Sequence, residues 1–267
     1  MANTLINNKV LGEVIGASLP NKLKFAPLAK VDTTLQGQAG DTITVEKYGY
    51  IGEAVKVAEG GQIPTSDLTM TSQDVKVVKA GNGFTLTDEE VGRRGQEVVN
   101  EGKSQLEKSI LDGIDSDCYT ALKTASLTKT CVAKLTYDDI VDGVGLFGEE
   151  DDEAKVLFIS PEQKTAMLKD PMFIRASEMG DKVVMTGVIG EIAGCQIVVS
   201  GKVKKVTNKF TNVIVKAGAL GIKLKKATNI EEDRDAGHAK STWYGTHHYV
   251  AYLADATKCV KIVTTEA

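Results

Sequence analysis

The sequence predicts an α+β fold assembled from an extended two-stranded arm, a long capped helix and a central α/β block. Three observations predict it. Residues on either side of Gly60-Gly61 alternate apolar with polar or charged side chains at period two, the signature of half-buried strands. Thr87-Asp88-Glu89-Glu90 then opens an apolar stripe mostly four residues apart, the signature of an amphipathic helix. Finally, Lys155–Ile159 runs straight into Ser160-Pro161-Glu162-Gln163, a buried strand followed by a helix start.

The chain has 267 residues, 42% hydrophobic, which is enough for one large core or two modest ones. Its 26 glycines and 5% aromatics favour strand-and-turn architecture. A formal charge of −4 excludes a global attraction to nucleic acid, but not a protein that encloses it. Cys118, Cys131, Cys195 and Cys259 form no C-x-x-C pair and read as reduced, mostly buried thiols of a protein made in the cytoplasm. No apolar run approaches the roughly 18 residues of a membrane span, and the first ten residues lack the order of a signal peptide.

Residues 1–39 read as an N-terminal arm. Val10, Leu11, Val14 and Ile15 mark a short amphipathic helix, and Pro20 and Pro27 keep the next stretch extended. Leu28, Val31 and Leu35 are spaced anchors for a segment laid along a surface. Residues 40–80 form the hairpin. Its outgoing limb is Asp41–Tyr48, continuing through Ala54–Val57, and its return limb is Leu68–Val78. An isolated hairpin cannot cover its apolar side. From Thr42 to the tip it reaches roughly 60 Å at about 3.3 Å per residue. A compact chain of this length has a radius of gyration of only about 18 Å. Such an arm leaves its own body, and another copy of the chain is the expected surface for it.

The helix is expected over Asp88–Leu122, roughly 50 Å long. Gly92, Gly95, Gly102 and Gly113 make a bend or break plausible. Its one-sided stripe makes it a spine for a sheet. Thr136 is expected to cap a short helix holding Ile140, Val144 and Phe147, with Glu149–Glu153 as an acidic loop. Gln196–Val199 is a further strand of this block, residues 136–205. Strands at Asn212–Lys216, Ala219–Lys225, Thr242–Leu253 and Val260–Thr264 are expected to return to the spine as its covering sheet.

Motifs for chemistry are scarce. Gly95 to Ser104 superficially resembles a phosphate loop, but six residues separate its glycines and it lies inside the helix. No G-x-S-x-G, H-E-x-x-H or G-x-G-x-x-G occurs. His247 and His248 are neighbours on a strand and face opposite sides, so they read as ordinary strand histidines, with no metal site. Asp115-Ser116-Asp117 lacks the glycine and terminal glutamate of a calcium loop and reads as a polar helix face. Glu231-Glu232-Asp233-Arg234-Asp235 is the one dense mixed-charge cluster. It reads as a solvated loop, as a salt-bridging subunit contact with Arg93-Arg94 as partners, or, remotely, as an enzyme site with His238.

In this order the elements resemble the major capsid protein of tailed bacteriophages, the Hong Kong 97-type fold. Several phrases carry the resemblance: Leu28-Ala29-Lys30-Val31-Asp32, Gly40-Asp41-Thr42-Ile43-Thr44-Val45, Glu59-Gly60-Gly61-Gln62-Ile63 and Leu86-Thr87-Asp88-Glu89. Gly190–Ser200 and Glu231–Asp235 extend it over nearly the whole chain. The resemblance implies an N-terminal arm (1–39), an extended loop (40–80) lying over a neighbour, a peripheral domain (81–135 and 206–267) and an axial domain (136–205) at hexamer and pentamer centres.

The implied function is non-enzymatic: self-assembly into an icosahedral head shell enclosing double-stranded DNA without sequence-specific binding, with no cofactor, metal or membrane. An encapsulin-like compartment shares the fold and is the alternative. The implied setting is the virion, assembled in the host cytoplasm, with a portal and a separate scaffolding protein or none. The loop contributes the contact candidates Val55, Val57, Glu59, Gln62, Ile63, Leu68 and Met70. Arg93, Arg94, Glu231, Glu232, Arg234 and Asp235 are the charged candidates. Some members crosslink a loop lysine to an asparagine. Lys47 or Lys56 would be the lysine here, but nothing matches the rest of that motif.

Overall fold

The computed structural model describes residues 24–25, 28–34, 42–48, 51–148, 153–169 and 191–265. The helix expected around Val10–Ile15, the anchor Leu35 and most of the acidic run before Glu153 lie outside them.

The spine forms, but in two pieces. Helix α1 (Asp88–Arg94) is capped by Thr87, whose hydroxyl accepts the N–H of Glu90 at 3.3 Å. The reciprocal half of the expected capping box is not made, and Glu90 instead lies 3.9 Å from Arg94. Gly95 ends α1 at φ +76°, a left-handed value that glycine adopts at little cost, and helix α2 (Glu97–Leu122) starts afresh. At 26 residues α2 is about 39 Å long. Its stripe of Val99, Leu106, Ile110, Leu111, Ile114, Cys118, Tyr119 and Leu122 is buried.

A four-stranded sheet packs on this stripe in the order β1 (Ala29–Asp32), β10 (Leu220–Asp235), β11 (Lys240–Leu253), β4 (Val78–Thr87). β1 runs parallel to β10 and the other pairs are antiparallel. Strand β11 alternates, with Ser241, Trp243, Gly245, His247 and Tyr249 buried. The period of two therefore puts His247 inside and leaves His248 half-buried, as expected for neighbours on a strand. The helix approaches closely because two glycines allow it. A Cβ on Gly102 would sit 2.4 Å from the Phe84 ring, which stacks on Trp243 at 5.0 Å. A Cβ on Gly245 would sit 3.0 Å from Leu106.

The remaining strands correct the sequence reading. Residues Asn212–Lys216 and Val260–Thr264, expected over the spine with the others, belong to β9 (Lys209–Lys216) and β12 (Cys259–Thr265) of a second, six-stranded sheet. Its order is β5 (Leu127–Cys131), β12, β9, β6 (Lys155–Ile159), β8 (Cys195–Val199), β7 (Glu191–Ile192). The physical reason is burial on both faces. Val213 and Val215 join the core that contains the α2 stripe, whereas Ile214, Val260 and Ile262 join a second core. Helices α3 (Tyr137–Gly145) and α4 (Pro161–Met167) contribute Ile140 and Met167 to that second core. Both helices begin with complete capping boxes, from Thr136 with Asp139 and from Ser160 with Gln163. Gln163 also donates from Nε2 to Thr264 Oγ1 at 3.1 Å, tying α4 to β12.

Hydrogen bonds fasten α2 to both sheets. Tyr249 donates to Asp117 Oδ2 at 2.6 Å, and Tyr119 donates to the Thr211 carbonyl at 2.7 Å. Asp115, read from sequence as part of a polar face, is only 8% exposed and accepts the N–H groups of Lys24 and Phe25 at 3.2 Å each. The polar-face reading fails here because backbone donors of the N-terminal segment need an acceptor at that point. Phe25, fully buried, packs against Phe158 and Tyr119 at 4.1 and 5.8 Å between ring centroids.

Candidate self-association site

The hairpin expected from the sequence pairs over a shorter span. Strands β2 (Thr42–Tyr48) and β3 (Met70–Lys76) are antiparallel, with Thr42 opposite Lys76 and Tyr48 opposite Met70. The stretch Ala54–Val57 is not strand, and neither are Leu68 and Thr69. Residues 51–69 instead form a long irregular loop. Its tip is a tight turn, with Gly61 N–H donating to Ala58 O at 2.9 Å and Gly60 at φ +78°. Positive φ at the third turn position is the type II requirement, which explains Gly60.

Every residue from Ile51 to Met70 is exposed. Six of the chain's exposed large apolar side chains fall in that span: Ile51, Val55, Val57, Ile63, Leu68 and Met70. Ile63 at 74% and Val55 at 67% are the most open. Glu59 and Gln62 flank the turn, also exposed. Burying one such side chain fully is worth about 1.5–3 kcal/mol. The loop is held out by a firm base, because only Val77 separates β3 from β4, and β4 pairs with β11 along its whole length.

The charged candidates take a different arrangement from the loop expected. Glu231, Glu232, Arg234 and Asp235 form the end of β10, paired with β11 from Tyr244 to Lys240. Strand pairing with β11 overrides the local polarity that suggested a loop. Arg234 donates to Asp88 from both terminal guanidinium nitrogens, at 2.5 and 2.6 Å, and so clips this strand end to the start of α1. That bond lowers the Asp88 pKa and raises that of Arg234. Asp235 caps the turn Ala236–His238, accepting the His238 N–H at 3.2 Å and lying 2.7 Å from His238 Nδ1. The His238 bond is the main cause of its lowered pKa. Glu231 accepts from Asn229 Nδ2 at 2.6 Å. Arg94 turns to Glu90, and Arg93 is exposed. The structure therefore joins Arg234 to Asp88, a partner that sequence reading missed; their separation of 146 residues left no local signal.

All four cysteines are buried, and burial raises the pKa of Cys118 and Cys259 to about 12. Among the described residues no group of three or more His, Cys, Asp or Glu side chains is placed to hold a metal ion.

Comparison with known proteins places this architecture in a class. A family described as "Phage capsid protein" matches residues 70–262. The chain is 36% identical over 271 residues to the major capsid protein of Staphylococcus phage phiMR11, covering 97% of this chain and 95% of that one. The capsid of Cyanophage P-SCSP1u superposes with a TM-score of 0.75 at 11% identity, over 90% of this chain and 87% of that one. The capsid protein of Ralstonia phage GP4 gives 0.71 at 9% identity, over 90% and 87%. A virus-like particle from Pyrococcus furiosus gives 0.63 at 10% identity, over 95% and 98%. The fold is thus the α+β, Hong Kong 97-type capsid fold. The chain belongs to the phage capsid protein family, and its role is structural.

Proposed function

We propose that this chain is the major shell subunit of a tailed-phage head, closing through hexamers and pentamers into an icosahedral shell around double-stranded DNA. The observation that carries this reading is the loop: twenty consecutive exposed residues with six large apolar side chains, presented on a hairpin rooted in the core sheet. That surface is costly in water and gains its stability when a second copy covers it. The loop and the charged end of β10 supply the subunit contacts, binding without catalysis. Weak contacts repeated around closed symmetry add up to a stable shell.

In this reading residues 1–39 are an arm and 40–80 the overlapping loop. The spine with its four-stranded sheet is the peripheral part, and the block built on residues 136–205 is the axial part. The six-stranded sheet extends that block with β9 and β12. Assembly takes place in the host cytoplasm, with a portal and, where one is used, a separate scaffolding protein. An encapsulin-like compartment has the same fold. The 36% identity to a phage capsid protein along almost the whole chain favours the phage head. Negative-stain microscopy and sedimentation of the purified full chain test the proposal. Rings, tubes or shells are the expected result, and a monomer under every condition of salt, concentration and added scaffold would overturn it.

A further inference from the structure

We propose that the lysine-rich face where α2 meets the β8–β9 connection binds the phosphate backbone of duplex DNA, irrespective of base sequence. Two adjoining depressions form this face, of about 470 and 600 Å³. Lys24, Lys108, Lys202 and Lys204 line the first, and Lys123, Lys202, Lys204 and Lys209 line the second. Two aspartates share the first depression, and the second contains no acidic residue. Both aspartates are already engaged. Asp112 pairs with Lys202 at 2.7 Å, and Asp115 accepts two backbone N–H groups. Lys108, Lys204 and Lys209 are exposed and carry no ion pair among the described residues. Lys123 lies over the Tyr119 ring at 4.8 Å, with its charge still open to solvent.

The composition of the face selects the partner. No arginine lines either depression, so the bidentate reading of base edges has no donor there. Tyr119, the aromatic residue present, is buried and offers no platform on which unpaired bases stack. Val206 is the exposed large apolar side chain at the face, so a protein segment would bury little apolar surface. Point-charge lysines without these features suit a regular line of phosphates. The chain as a whole is negative at −4, so any attraction to DNA must come from a local patch of this kind. The inference rests on the shell reading for its biological setting, since a shell brings many such faces to one enclosed polymer.

The test measures binding of the full-length, unassembled subunit to a short random-sequence DNA duplex by fluorescence anisotropy, over a series of salt concentrations. The wild type is expected to bind at low salt and to weaken as salt rises. A variant with Lys108→Gln, Lys123→Gln, Lys204→Gln and Lys209→Gln is expected to lose at least about tenfold in affinity at low salt. Its slope of log affinity against log salt should flatten by about 3 to 4, near 0.9 per phosphate contact removed. A control with Lys79→Gln, Lys134→Gln, Lys169→Gln and Lys226→Gln carries the same net charge and should retain the wild-type slope. Lys204→Gln with Lys209→Gln alone gives half the flattening and covers misfolding of the fuller variant. No binding by the wild type, equal binding by the first variant, or equal loss in the control overturns the proposal. Tighter binding of poly-glutamate than of the duplex also overturns it, in favour of an acidic protein partner. Sedimentation of the same samples reads assembly separately. DNA binding without shells would sink the shell reading alone, and shells without DNA binding this one alone.

Discussion

The Asp115 carboxylate sits inside the body with two backbone N–H groups of the N-terminal segment directed at it. Burial pushes its pKa up despite those donors and the nearby lysines. Asp115→Ala leaves both donors without their acceptor, which costs about 1–3 kcal/mol for a buried group. The expected readout is a lower denaturation midpoint at unchanged m-value, from release of the Lys24–Phe25 anchor. His247 makes a second residue-scale prediction. Burial lowers its pKa from 6.5 to about 4, and Thr228 Oγ1 lies 3.1 Å from its Nδ1. Above about pH 6.5 the ring is neutral in both states and contributes no pH dependence. As pH falls below that value the unfolded chain takes up a proton that the folded chain resists, so stability falls until about pH 4. The full loss is about 3 kcal/mol. His247→Gln should flatten this part of an acid-stability curve measured by chemical denaturation at successive pH values.

At the scale of elements, the hairpin is separable from the body. β2 and β3 form their own two-stranded sheet, and the 51–69 loop is exposed throughout. Deleting Ala54–Asp74 should therefore leave both larger sheets intact, with unchanged far-ultraviolet helix signal and a melting temperature within a few degrees of wild type. Assembly should be lost, and a deletion that unfolds the subunit would refute the separation. The capped helices were legible in the sequence because their signals are local. Thr136, Ser160 and Thr87 sit three residues before the N–H groups they cap. Strand lengths and partners were less legible. β10 runs sixteen residues to Asp235 because β11 pairs with its charged end, although Glu231–Asp235 alone reads as loop. Conversely, Ala54–Val57 alternates like a strand but has no partner strand among the described residues, and it stays irregular. β5, unmarked by any local pattern, exists because β12 offers it an edge.

For the whole molecule, the exposed apolar loop is a liability unless copies cover one another. Val55→Ser, Ile63→Ser and Leu68→Ser together should leave the isolated subunit within about 0.5 kcal/mol of wild type per site, as exposed positions do. The same triple change should abolish shells in sedimentation and microscopy, since each subunit loses several apolar contacts at once. Retention of shells would remove the loop from the interface. Period-two and 3.6-residue patterns with their caps determined, by themselves, that this chain has a β-hairpin, capped helices and an α/β block. These signals sit between residues a few positions apart, where backbone geometry dictates the outcome. Only the tertiary structure decided that β9 and β12 leave the spine sheet for the six-stranded one, that Arg234 grips Asp88, and that the lysines of α2 and the β8–β9 connection share a face. Those pairings join residues far apart in the chain, and burial on two faces and competition for hydrogen-bond partners choose among them only once the chain has folded.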